Sequence, residues 1–151
     1  MTPADIDHPL LEPDERLIAT FTPDRNRYWR DHGIMAVGLM ALAGVFLWLI
    51  GSPYPAIGSL GAILAVAVRA AYLASETFKA RWVLTERRLI LPGGIRSINL
   101  LEIDKMRPLL GDIQLITRSG DKHLLKFMAN EGEVIEQITK TRDARARRRV
   151  S

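Results

Sequence analysis

Two carboxylates, Glu102 and Asp104, stand two residues apart in a stretch that reads as extended, so both would project from one strand face. Carboxylates paired in this way can divide general acid and general base work between them. No nucleophile, metal ligand or phosphate-cradling loop accompanies them, and Lys105 and Arg107 follow directly, so the pair reads as a solvated strand edge. The chain has no cysteine, which removes disulfides, thiolate catalysis, iron–sulfur clusters and cysteine-ligated zinc together and suits a reducing compartment. His8, His32 and His123 have no metal-ligand spacing, and Gly93–Gly94 reads as a turn. The expectation is a protein that is not an enzyme, with no cofactor and no metal.

The other chemistry-bearing residues are cationic. Net charge is +4 over 151 residues, and the stretch from Thr139 to Ser151 holds six basic side chains against Asp143, so the rest of the chain is close to neutral. The basic character therefore belongs to a tail, with Arg145, Arg147, Arg148 and Arg149 at its end, and not to a broad nucleic-acid-binding face. No aromatic platform lies near that tail, which argues against nucleic acid as a partner. Arg27, Tyr28, Trp29 and Arg30 form a second group, of the kind found at a membrane–water interface. Arg87 and Arg88 form a third, and Arg69 stands alone within an apolar run. All eleven are candidate contacts to lipid headgroups or to an interface.

The elements that must position these residues are organised by the stretch from Gly33 to Ala74. Residues 33–50 carry no charge, and residues 56–74 carry only Arg69. As helices rising about 1.5 Å per residue, each run is roughly 27 Å long, near the thickness of a bilayer's hydrocarbon core. The spacing predicts a transmembrane hairpin over 33–75, turned at Gly51, Pro53 and Pro55, with Trp48 at belt height. Arg69 lies six residues before Ser75, within snorkelling distance of phosphates. No carboxylate in the runs pairs with it, which argues against a proton- or ion-coupled transporter. Gly58/Ala62 and Gly61/Ala65 are four apart, a spacing that permits close helix packing within the hairpin or against another subunit. The basic flanks and uncharged turn put both termini in the cytoplasm, in a multi-pass protein of the bacterial inner membrane.

Ahead of the hairpin, residues 1–32 read as a cytoplasmic segment. Met1 to Pro13 is expected to be extended, its acidic start unlike a secretory signal; Arg16 to Phe21 is expected as a brief strand, and Asp24 as the cap of an interfacial helix. Residues 76–142 read as a small cytoplasmic domain and 143–151 as a basic tail. Short β-like runs at Arg81–Thr85, Arg88–Leu91, Ile95–Leu100, Ile113–Thr117 and Lys122–Met128 are separated by turn chemistry, and Leu101–Leu110 offers a further strand that Pro108 confines to an edge or a bulge. Asn130 with Glu133 reads as a helix cap, and Val134, Ile135 and Ile138 as the stripe that plugs the sheet. The fold class is thus an α+β membrane protein: a two-helix hairpin, then a small antiparallel β-barrel or sandwich closed by a C-terminal helix.

Trp82, Thr85, Arg88, Leu89, Ile90, Gly94, Ile98, Leu100, Glu102, Ile103, Gly111, Ile113, Leu115 and Thr117 stand in a pattern that resembles the bacterial pleckstrin-homology-like domain of small membrane proteins. The resemblance covers roughly residues 12–142 and rests on turn and core positions. It implies a non-enzymatic domain that binds other proteins, oligomerises or touches lipid headgroups, and it supplies no catalytic residues. It also implies that Thr85–Arg88 is the first hairpin loop, where eukaryotic relatives hold phosphoinositides. The expected role is an accessory, assembly or scaffolding subunit of a membrane complex, with membrane lipids, other membrane-protein subunits and further copies of itself as partners. The alternative is an anionic-lipid sensor that uses the arginine-rich tail.

Overall fold

The structure, a computed structural model, describes residues 11–150. The expected extended conformation of Met1–Pro13 therefore lies, as far as residue 10, outside the described residues, as does His8. The chain forms two compact units: Asp24–Lys79, and the flanking chain up to Pro23 together with that from Ala80 onward.

The helical unit holds α1 (Arg25–Leu49) and α2 (Pro55–Lys79). Asp24 caps α1, its Oδ1 accepting the Arg27 N–H at 2.7 Å. Gly51, at φ +71°, ends α1: its N–H bonds the Trp48 carbonyl at 3.1 Å and the Ser52 N–H bonds the Leu47 carbonyl at 2.9 Å, the paired closure of a Schellman motif. Pro55 then starts α2 at the position where a missing N–H leaves no bond unmade. Both helices are long and apolar enough to cross a membrane. Val66, Ala70 and Ala74 are buried at four-residue spacing, and the same row continues back to Ala62 and Gly58. Along that row the helices approach closely: a Cβ on Gly58 would collide with Leu47, and one on Gly44 would lie 2.7 Å from Ser59 Oγ. Gly61, by contrast, faces open space, so only the Gly58/Ala62 pair packs within the hairpin.

Among the described residues, the second unit has seven strands. β1 (Leu17–Phe21), β2 (Trp82–Thr85), β3 (Arg88–Ile90) and β4 (Ser97–Asn99) form one antiparallel sheet in that order. β5 (Ile103–Leu109), β6 (Asp112–Thr117) and β7 (Lys122–Leu125) form a second. The sheets do not join into the closed barrel that one limb of the expectation allowed. Asn99 caps a 3-10 turn at Leu100–Glu102, its Oδ1 accepting the Leu101 N–H at 3.1 Å, and this turn carries the chain from β4 in the first sheet to β5 in the second. Both sheets nevertheless bury their apolar faces in one core, with Trp82, Leu84, Leu89 and Ile98 from the first and Ile103, Ile113, Leu115 and Leu125 from the second. β6 alternates as a strand with one buried face should, with Ile113, Leu115 and Thr117 turned inward. Pro108 sits on β5, an edge strand, where no ladder partner misses its N–H.

α3 (Glu131–Val150) closes the unit. Asn130 Oδ1 accepts the Glu133 N–H at 3.3 Å; Ile138 is fully buried, and Val134 and Ile135 pack beside it. Acids occupy its first turn and Arg147, Arg148 and Arg149 its last, each complementing the helix dipole. The strand expected over Ile95–Leu100 shortens to β4, because the turn through Gly93 and Gly94, both at positive φ, continues through Ile95, which is 94% exposed.

Candidate functional site

The β2–β3 turn, Thr85–Arg88, is the second connection of its sheet and not the first, because β1 pairs with β2 in the register Phe21↔Trp82 and Leu17↔Thr85. The first connection is the segment that carries both long helices. The turn is held rigid from beneath. Thr85 Oγ1 donates to Glu15 Oε1 at 2.7 Å and accepts the Arg88 N–H at 3.0 Å. Arg88 Nε and Nη2 each donate to the Glu15 carboxylate at 2.9 Å, a two-pronged pair with the Glu15 side chain wholly buried. The Arg88 hydrogen bonds hold the Glu15 carboxyl down at about 2, against the opposing effect of burial and with help from the Glu12 N–H and the Thr85 hydroxyl. Arg88, expected as a headgroup or interface contact, is thereby committed inside the fold.

Above this anchored turn lies a cleft of about 760 Å³. Its walls are the start of β1, at Arg16 and Ile18, the turn residues Glu86 and Arg87, and one face of α3. Among the described residues, six cations line it (Arg16, Arg87, Lys140, Arg145, Arg148 and Arg149) against the single carboxylate of Glu86. The Glu86 N–H bonds the Arg16 carbonyl at 3.1 Å, which joins the two β walls. Glu86 also draws α3 across: Arg145 Nη1 reaches its carbonyl at 3.5 Å and Arg148 Nη1 its carboxylate at 3.4 Å, while Arg87 Nε lies 3.7 Å from the other oxygen. These contacts are long for hydrogen bonds, and Arg87 Nη1 also lies 3.9 Å from Glu12 Oε2. Ile18, 39% exposed, and Ala144 give the cleft an apolar floor.

The remaining expected contacts fall elsewhere. Arg147 lies off the cleft, in a shallow depression with Glu136, Thr139, Lys140 and Asp143. Trp29 and Arg30 are exposed on α1, Arg30 beside Asp31 at 3.4 Å. Arg27 is mostly covered and approaches Asp31 at 3.9 Å. Arg69 is exposed on α2 and forms no ion pair among the described residues. Tyr28, expected at the headgroup interface, is 1% exposed. Its hydroxyl donates to the Ala70 carbonyl at 2.7 Å and its ring meets the Phe78 edge at 5.0 Å between centroids, so it pins α1 to α2. Glu102 and Asp104 are both exposed and lie outside the cleft.

The sequence reading missed Glu15, Arg16, Glu86 and Lys140 as members of this site. Arg16 and Glu86 meet only through the β1–β2 register, which the intervening helices hide. Lys140 did carry a signal, since it shares a helical face with Ala144 and Arg148 at four-residue spacing. Compared with known proteins, the chain matches no family model, no curated protein and no solved structure.

Proposed function

We propose that this chain is a non-enzymatic accessory or scaffolding subunit of the bacterial inner membrane. In this reading α1 and α2 cross the bilayer with both termini in the cytoplasm, and the β unit, a pleckstrin-homology-like domain, docks other proteins. One relationship carries the proposal. The two apolar helices are inserted between β1 and β2, and those strands are hydrogen-bonded neighbours whose register places Phe21 opposite Trp82. The chain leaves for the helices and returns from them at one point, so the helices must cross an even number of times and the β unit must lie on a single side. The outward faces of both helices are apolar, as a lipid environment requires, and Trp48 (72% exposed) and Tyr54 flank the turn, where an aromatic belt would lie. The small antiparallel unit ending in a helix agrees with the domain type that the motif resemblance implies.

Extraction in mild detergent tests the accessory role. Stoichiometric membrane subunits should accompany the protein through purification. Recovery as a lone monomer would remove the main support for the proposal.

A further inference from the structure

Arg69 is the one charge in the apolar run of α2, and it stands exposed on the outward side of that helix with no ion pair among the described residues. Its depth follows from the helix itself. Pro55 opens α2 beside the exposed aromatic rings of Trp48 and Tyr54, and at about 1.5 Å per residue Arg69 lies roughly 21 Å further along. A hydrocarbon core about 30 Å thick then extends roughly 9 Å past it. Counting back from Ser75, where the apolar run gives way to polar residues, gives the same distance of roughly 9 Å. Arg69 therefore sits inside the apolar layer when α2 spans it. We infer that this face of α2 packs against a membrane-spanning helix of a partner subunit, and that Arg69 pairs with a carboxylate on that helix.

Three occupants compete for a cation at this depth. The nearer lipid phosphates lie beyond the C-terminal end of α2. The Cα–Cβ bond of a helical residue tilts toward the N-terminus, here the turn between the helices, so the Arg69 side chain sets out away from those phosphates. A second copy offers no carboxylate at this level, because no Asp or Glu occurs from residue 33 to residue 75, and the same face of a parallel copy sets Arg69 against Arg69. A partner helix with its own aspartate or glutamate supplies the counter-charge that a cation in an apolar layer requires. The surface on the deep side of Arg69 suits such a helix. Ala65 and Gly61 follow it at four-residue spacing, and a Cβ on Gly61 would meet nothing within 4 Å, so a second backbone has room to come close. Leu64 and Val68, both exposed, flank that row with apolar contact surface. The inference rests on the membrane reading and accessory role proposed above, and adds where the partner is met and by what chemistry.

The test uses the full chain in phosphatidylcholine vesicles, with a donor dye on Ser52→Cys in the helix turn. The probe is a synthetic single-span leucine–alanine helix that carries an acceptor dye. One form has a glutamate about six residues in from one end of its apolar stretch, and the other has glutamine there. Energy transfer should reach half-maximum at a roughly tenfold lower density of the glutamate probe than of the glutamine probe. Arg69→Leu, at an exposed position, should erase that preference, and Arg69→Lys, which keeps the charge but not the planar fork, should retain part of it. Equal transfer to both probes, or a preference that survives Arg69→Leu, would overturn the inference. So would a selectivity for spin-labelled phosphatidylglycerol over phosphatidylcholine that Arg69→Leu abolishes, which assigns Arg69 to headgroups. Transfer between labelled chains that depends on Arg69 assigns the face to a second copy and overturns it as well. A chain that stays out of the vesicles defeats the membrane reading, whereas an inserted chain that treats both probes alike defeats only the Arg69 pairing.

Discussion

Glu15 and Arg88, 73 residues apart in sequence and on opposite sides of the helical segment, meet through two hydrogen bonds of 2.9 Å. Their pairing ties the chain just before β1 to the start of β3 and fixes the turn on which Glu86 and Arg87 are presented. Glu15→Gln should leave the half-buried Arg88 guanidinium without its counter-charge and destabilise the β unit by about 2–4 kcal/mol. Denaturant titration followed by hydrogen exchange in β2 and β3 measures this. An unchanged midpoint would show that the pair contributes nothing.

The same pair gives a pH dependence of definite sign. The Glu15 carboxyl titrates at about 2 when folded, against 4.5 for the free group. A depressed carboxyl binds fewer protons in the folded state, so its stabilisation is fully present above about pH 4.5 and is lost as pH falls toward 2. The loss is on the order of 3 kcal/mol across that window. Wild-type stability should therefore fall more steeply than that of Glu15→Gln between those pH values, and parallel curves would contradict the assignment.

Within the helical unit, Tyr28→Phe removes one buried hydrogen bond to the Ala70 carbonyl and should weaken the α1–α2 pair by about 0.5–1.5 kcal/mol. The absence of cysteine makes the readout clean, because Gly44→Cys with Ser59→Cys places a lone reporter pair at a close approach of the two helices. The disulfide yield of that pair should drop when Tyr28→Phe is added.

The two glycines of α2 should respond differently. Gly58→Leu forces a side chain into Leu47 and should separate the helices at a cost of about 1–3 kcal/mol. Gly61→Leu meets nothing within the hairpin and should leave the reporter disulfide unchanged. If Gly61→Leu instead alters the oligomeric state, that face contacts a further copy of the chain.

Local features were legible in the sequence because one or two residues determine each of them. Asp24 and Asn130 cap helices as their types require, Gly51 and Pro55 punctuate the helix turn, and Pro108 keeps to an edge strand. The apolar runs gave both long helices by length and composition. What depended on distant pairing was not legible. Nothing near Glu15 marks it for Arg88, and nothing near Arg16 marks it for Glu86; both meetings follow from β1 joining β2 across the helices. Tyr28 and Trp29 look alike as neighbours of arginines, yet the helical rotation between adjacent positions buries one and exposes the other. The arginine-rich end reads by composition as a tail, but α3 runs through it to Val150 and turns Arg145 and Arg148 toward Glu86.

The most direct test of the central claim is the sidedness of two introduced thiols in a chain that has none. Ser52→Cys lies in the turn between the helices and Ser119→Cys in the β6–β7 turn. In intact spheroplasts a membrane-impermeant maleimide should label Ser52→Cys at once and Ser119→Cys only after permeabilisation. Labelling of Ser119→Cys from outside, or release of the whole chain into the soluble fraction, would contradict a hairpin that crosses the membrane twice and carries its folded unit on the inner face.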